Sequence, residues 1–212
     1  MSKFITALQK RLQQPLPGIS AQVKMMNSTV NDKVNNNRFQ VPDNHRKASV
    51  LAMLYSKSDV WHFALIQRPE SAKHHKSQIS FPGGKIEKED PDPSYAACRE
   101  TEEELGIPRE KIQILGQLTQ LYIPVSNFLV QPFVGYLPNL PEFNPNPREV
   151  DEVIEIKLQD LLDYNNRKKT DIALTESLKI NDVPHFYIDN KVIWGATAMM
   201  LSELSEIIDF SY

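Results

Sequence analysis

The stretch Arg99-Glu100-Thr101-Glu102-Glu103-Glu104-Leu105-Gly106 constrains this chain more than any other, because it sets four glutamates within five positions. As an isolated helix such a run is unfavourable, since like charges three or four residues apart repel by roughly 0.2–0.5 kcal/mol each. Yet Ser94 before it can cap a helix, and Gly106 after it can end one in the left-handed conformation. Ala97 or Cys98, Thr101 and Leu105 then form a buried stripe, so a helix over about residues 94–105 is expected. On it Glu100, Glu103 and Glu104 stand at i, i+3 and i+4 and share one face. Such a carboxylate face, beside the glycine turn Phe81-Pro82-Gly83-Gly84, suits a hard divalent cation such as Mg²⁺ or Mn²⁺. A solvated acidic face is the competing reading of the spacing alone.

Composition narrows the partners. The 212 residues carry 24 basic and 27 acidic side chains, a formal charge of −3, which excludes the broadly basic surface of a general nucleic-acid binder. One cysteine, Cys98, cannot form an internal disulfide and fits a reducing compartment; on the inward stripe of the helix it reads as core. Five dispersed histidines give no zinc-ligand spacing. No apolar run approaches the roughly 18 residues needed to span a bilayer, and the N-terminus lacks the pattern of a signal peptide. The expectation is a cytoplasmic protein of one domain over 1–212, with no membrane and no nucleic-acid partner. A homodimer is left open.

Phe4, Ile5, Leu8 and Leu12 have helical spacing, so a short helix is expected over about 2–14, closed by Pro15. Residues 27–47 are polar and Asn-rich and read as loop, which leaves a core over 46–208. Strands are expected at Ser49–Tyr55 and Val60–Ile66, joined by a turn, and at 112–118, 128–136 and 153–158. A further pair, 186–188 and 192–194, flanks Asp189-Asn190. Helices are expected near 158–163 and 196–208, and the proline-rich 138–147 as loop. Elements mixed without regular alternation favour a mixed sheet with helices packed around it.

Gly84, followed 15 residues later by Arg-Glu-x-x-Glu-Glu-x-Gly-Ile, resembles the box of the Nudix hydrolase family, G-x5-E-x7-R-E-U-x-E-E-x-G-U with U apolar. The loop before Arg99 is one residue longer than that pattern, the early acidic position falls on or near Asp90 or Asp92, and Thr101 replaces an aliphatic residue. Leu65-Ile66-Gln67-Arg68, Lys73, His75, Gln78 and Phe81–Gly84 are similar to the segment preceding the box in the coenzyme A pyrophosphatase branch, which shares the longer loop. Pro69, Lys73 and Ser77 depart from that branch. Ile193-Trp194-Gly195-Ala196-Thr197-Ala198 is like the segment opening the branch's last helix.

The resemblance implies an α/β/α sandwich with a mixed sheet, here with an extra N-terminal helix. It implies metal-dependent hydrolysis of a nucleoside-diphosphate-linked small molecule, coenzyme A or an acyl derivative, to phosphopantetheine and 3′,5′-ADP. The alternatives are ADP-ribose or dinucleotide hydrolysis, and a non-catalytic nucleotide-binding regulator. By resemblance Glu100 and Glu104 would ligate Mg²⁺ or Mn²⁺, with Glu103 and the Gly84 carbonyl completing the site. Glu103 would also orient or deprotonate the attacking water, held by Arg99. A further catalytic carboxylate would come from Glu149, Asp151 or Glu152, with Glu149 or Glu152 preferred. Arg68, Lys73, His75 and the Gly83 backbone would meet the substrate. Each basic residue also has a bland reading, Arg68 as a structural strand-end arginine and Lys73 to Lys76 as an exposed turn. Trp194 reads as packing, with stacking on adenine as the alternative.

Overall fold

A computed structural model describes residues 2–27, 40–69, 78–173 and 179–209. Helix α1, Lys3–Leu12, is capped by Ser2, whose side chain accepts from the Ile5 amide at 3.2 Å, and it buries Ile5, Leu8 and Leu12. A short helix α2, Ile19–Gln22, follows the two prolines. Strand β1, Arg46–Lys57, turns through Ser58 and Asp59 into β2, Val60–Gln67. Both turn residues have positive φ, 51° and 61°, the backbone of a two-residue hairpin whose twist matches its strands.

The hairpin opens early, and that opening makes room for the glycine turn. β1 and β2 pair only from Leu54–Lys57 against Val60–Phe63. Beyond that point β3, Ile79–Ser80, pairs with the end of β2, and β4, Gly83–Lys85, pairs with Ala48–Val50 of β1. Helix α3, Pro93–Leu105, comes next, then β5 (Gln113–Gln117), β6 (Leu121–Ile123), β7 (Phe128–Tyr136), β8 (Glu152–Lys157) and the short helix α4 (Leu158–Leu162). β9 (Arg167–Ala173), β10 (Lys179–Ile188) and β11 (Lys191–Trp194) form a second, antiparallel sheet before the last helix α5, Gly195–Asp209. Among the described residues the main sheet has eight strands. It is mixed, as expected: β7 runs parallel to β1 from Arg46↔Phe128 to Leu54↔Tyr136, and the other pairings are antiparallel.

Strand alternation sorts the core into two layers. Leu51, Met53 and Tyr55 of β1 pack with Ala97, Cys98 and Leu105 of α3. Ala48, Ala52 and Leu54 point the other way and share a larger core with Ile5 and Leu8 of α1 and Leu201 and Leu204 of α5. Each fully buried aliphatic side chain stabilises the fold by about 1.5–3 kcal/mol. The result is the expected sandwich, sheet between helices, with the N-terminal helix on the face away from α3. Buried Glu203 on α5 ties the N-terminal segment down: it accepts from Gly18 N at 3.2 Å, Gln22 Nε2 at 2.9 Å and Thr119 Oγ1 at 2.7 Å. No helix among the described residues is long and apolar enough to cross a membrane.

The start of α3 corrects the expected cap. Asp92, not Ser94, caps it, accepting from Ser94 N at 2.8 Å and Tyr95 N at 2.9 Å. Pro93 at the first helical position has no N–H and a fixed φ, so the capping residue must precede it. β9 went unexpected because Arg167-Lys168-Lys169-Thr170-Asp171 offers no apolar alternation; it exists by pairing with β10. We predict that Asp92→Ala lowers stability by about 1 kcal/mol, and the Tm by about 2–4 °C for a chain of this size. Thermal and urea melts check this; an unchanged midpoint would mean the cap does not hold α3.

Candidate active site

The glycine turn and the acidic helix meet where the hairpin opens. Gly83 has φ of +147°, and a Cβ on it would lie 2.4 Å from Ser49 O and 2.6 Å from Val50 Cα, so only glycine fits. Its amide N–H, freed for another partner, donates to Glu104 Oε2 at 2.8 Å. A Cβ on Gly84 would fall 2.5 Å from Glu100 Oε2. The two glycines therefore let β4 touch two carboxylates of α3 directly.

Glu104 is the unusual member of the cluster. It is 0% exposed, and its second oxygen accepts from Arg68 Nη2 at 3.2 Å. Burial pushes its pKa up to about 8. The Gly83 N–H and the Arg68 charge pull it down, while Glu100 and Glu149 add to the rise. Burial likewise raises Glu100, opposed by Arg99 and reinforced by Glu103 and Glu149. Glu103 lies at the rim, its side chain 50% exposed.

Arg99 organises the rest. Its Nη1 donates to Glu100 Oε1 at 3.0 Å and Glu103 Oε1 at 3.1 Å, and Nη2 donates to the Lys85 carbonyl at 3.2 Å. Nε and Nη2 grip Asp90 at 2.9 and 3.0 Å. This two-pronged contact is strong and directional. It decides between the two early acidic positions: Asp90 is the partner of Arg99 and Asp92 is the helix cap. The arginine's hydrogen bond holds the Asp90 carboxyl below its usual range.

Of the distal carboxylates, the structure brings in Glu149. Asn146 N bonds to the Glu104 carbonyl at 3.0 Å and Asn144 N to the Leu105 carbonyl at 2.9 Å, so the proline-rich loop is hooked onto the end of α3. Asn146 Nδ2 then holds Glu149 Oε1 at 3.1 Å, with its charge acting on Glu100 and Glu104. Glu152 is not brought there: it pairs with Lys191 of β11, which also donates to Gln67 Oε1 at 3.0 Å. Asp151 is exposed. Sequence reasoning missed Lys191, which no local signal links to Glu152. Arg68 is placed against Glu104. Lys73 and His75 lie outside the described residues.

Among the described residues no group of three or more His, Cys, Asp or Glu side chains stands ready to hold a metal ion. The reason is visible: Arg99 draws Glu100 and Glu103 toward itself, and Arg68 occupies Glu104. The donors nonetheless fit a hard cation. They are carboxylate oxygens, those of Glu104 fully buried and paired with Arg68, beside a glycine with no side chain to block approach.

A family model described as NUDIX domain matches residues 44–178. A protein of Photorhabdus laumondii named Uncharacterized Nudix hydrolase NudL is 31% identical over 185 residues, which are 84% of this chain and 97% of that protein. A protein of the same name in Yersinia pestis is 30% identical over 207 residues, 97% of this chain and 94% of its own. Among solved structures, the Nudix hydrolase RenU of M. smegmatis matches with a TM-score of 0.55 at 15% identity, over 78% of this chain and 86% of that one. At that identity the likeness shows the fold alone.

Glu104 generates a pH prediction. Its folded pKa is raised, so the stability it contributes is full below the unfolded value near 4.5 and is lost as pH rises through about 8. Metal-free protein should lose up to about 1.4 kcal/mol per pH unit from this group across that window. Glu104→Gln should flatten the slope. Urea melts with chelator from pH 5 to 9 measure both proteins; parallel curves would show that Glu104 is ionised throughout.

Proposed function

The chain belongs to the Nudix hydrolase family, and from that premise we propose that it hydrolyses the diphosphate of coenzyme A or an acyl-coenzyme A, releasing phosphopantetheine and 3′,5′-ADP. The observation that carries the hydrolytic part is the convergence of Glu100 and Glu104 on Gly83-Gly84, with Arg99 holding Glu103 beside them. The coenzyme A assignment rests on the segment before the box, Leu65 to Gly84.

A divalent cation, Mg²⁺ or Mn²⁺, would be held by Glu100, Glu104 and the Gly84 carbonyl, and would neutralise charge on the diphosphate and favour attack by water. The chain's own groups do the positioning. Glu103, exposed at the rim, accepts the proton of the attacking water. Arg99 fixes its carboxylate and keeps Glu100 within reach. Glu149, held by Asn146, adds a further carboxylate to orient water. Arg68 balances Glu104 before substrate arrives and is released to a phosphate once Glu104 is otherwise neutralised. A 3′-phosphate on the substrate calls for a cation, a role proposed for Lys73 with His75 beside it in sequence; the lysine offers a point charge without a bidentate fork.

Two experiments test this. Glu103→Gln removes the base and relieves like-charge repulsion; turnover should fall by about 10²–10⁴-fold, with a melting temperature unchanged or slightly raised. Near-normal turnover would remove Glu103 from the mechanism. For the substrate, kcat/KM for coenzyme A should exceed those for dephospho-coenzyme A and ADP-ribose. Lys73→Ala should narrow the first gap about fivefold, as for a charge pair worth about 1 kcal/mol. Faster hydrolysis of ADP-ribose, with the lysine change affecting all three alike, would leave the family chemistry standing and overturn the coenzyme A assignment.

A further inference from the structure

Three strands of the main sheet end together beside the glutamate site. Gln67 closes β2, Glu152 opens β8 and Ile79 opens β3. The three are cross-strand partners in one row, Glu152↔Gln67↔Ile79. One step further out, the Arg68 amide donates to the Gln78 carbonyl at 3.1 Å and the Asp151 amide to the Gln67 carbonyl at 2.9 Å. Residues of the site stand just there: the Arg68 side chain donates to Glu104 at 3.2 Å, and Glu149 precedes Asp151 by two positions.

The row is gripped from the opposite face. Leu65 belongs to the core shared with α5 and Ile66 to the core shared with α3, so alternation sets Gln67 on the α5 face and Arg68 on the α3 face. On the α5 face Lys191, the first residue of β11, donates to Gln67 Oε1 at 3.0 Å and pairs with Glu152 Oε2. Gly195, at φ +64°, then turns the chain from β11 into α5. Thr197 Oγ1, in the first turn of that helix, donates to the Ile79 carbonyl at 2.9 Å. All three members of the row are therefore held by the corner between β11 and α5, to which the mechanism above gives no task.

Strand ends open more readily than strand centres, and a misplacement of about 1 Å can cost roughly 10²-fold in rate. The ion pair itself, with side chains 26% and 48% exposed, adds little to global stability. Its effect is local, at the strand ends it joins. We propose that Lys191 is a positioning residue: by holding Gln67 and Glu152 it keeps in place the strand ends from which Arg68 and Glu149 act on the glutamate cluster. The proposal rests on the hydrolytic reading above.

Lys191→Met removes the charge and keeps most of the side chain's length. Amide hydrogen exchange of metal-free protein, followed by NMR, reads the row without any substrate. Exchange at Arg68 and Asp151 should quicken at least about tenfold, with the amides of β7 and the urea midpoint unchanged. With Mg²⁺ and coenzyme A, kcat should fall by about tenfold or more and KM stay within about twofold. Glu152→Gln breaks the same clamp from the other side, and the double variant should lose no more than the larger single loss. Unchanged exchange at both amides, or faster exchange with kcat intact, overturns the proposal. So does a raised KM at unchanged kcat, which would make Lys191 a substrate contact. So do losses that multiply in the double variant. A wild type that leaves coenzyme A intact and cleaves ADP-ribose refutes the substrate assignment instead, and the same rates are then read on ADP-ribose. A wild type inert on both removes the hydrolytic reading, and this proposal with it.

Discussion

A carboxylate taken wholly out of water, Glu104 on α3, is the constraint to which the rest of the site answers. An ionised carboxyl in that position is costly unless donors converge on it. The fold supplies two, the Gly83 amide and the Arg68 guanidinium, and they come from opposite sides of the opened hairpin. Gly83 can reach it only because β4 slots against β1 in a backbone conformation that a side chain would forbid. Arg68 can reach it because β2 ends one residue before. The early parting of β1 and β2 therefore positions both donors at once.

The surrounding charges extend the same logic outward. Glu100 and Glu103 in the second half of the helix and Asp90 in the loop before it would repel one another, and Arg99 joins all three in one network. A single guanidinium cannot balance three carboxylates, and Glu149 adds another from the loop hooked to the end of α3. Carboxyl groups thus outnumber the arginines, Arg68 and Arg99, that pair with them beside the glycine turn. A hard cation and a substrate diphosphate are the complementary pair for such a place, which is why a hydrolytic reading follows from electrostatics as well as from family membership.

Much of this was legible in the sequence because the informative contacts are local. Helix α3, its buried stripe and its Gly106 stop follow from spacing within a dozen residues, as do β7 and the Asp189-Asn190 turn. What was not legible depends on chain pairing over longer distances. Ser94 reads as well as Asp92 for a cap until Pro93 is considered. β3 and β4 are too short to show a period and are made by the gap they fill. Arg68 and Glu104 are 36 residues apart, and Lys191 and Glu152 39 apart. No spacing rule connects them, so neither the Arg68 pair nor the one that holds Glu152 away from Glu149 shows in the sequence.

On the proposed mechanism these carboxylates direct water to a phosphorus of a nucleoside diphosphate derivative. Turnover of coenzyme A in ¹⁸O-enriched water, with both products weighed by mass spectrometry, addresses it most directly. A single ¹⁸O on phosphorus is expected, in either phosphopantetheine or 3′,5′-ADP, and neither product when divalent cations are chelated. Release of the 3′-phosphate as inorganic phosphate with the diphosphate intact, or an unchanged rate under chelation, would contradict it.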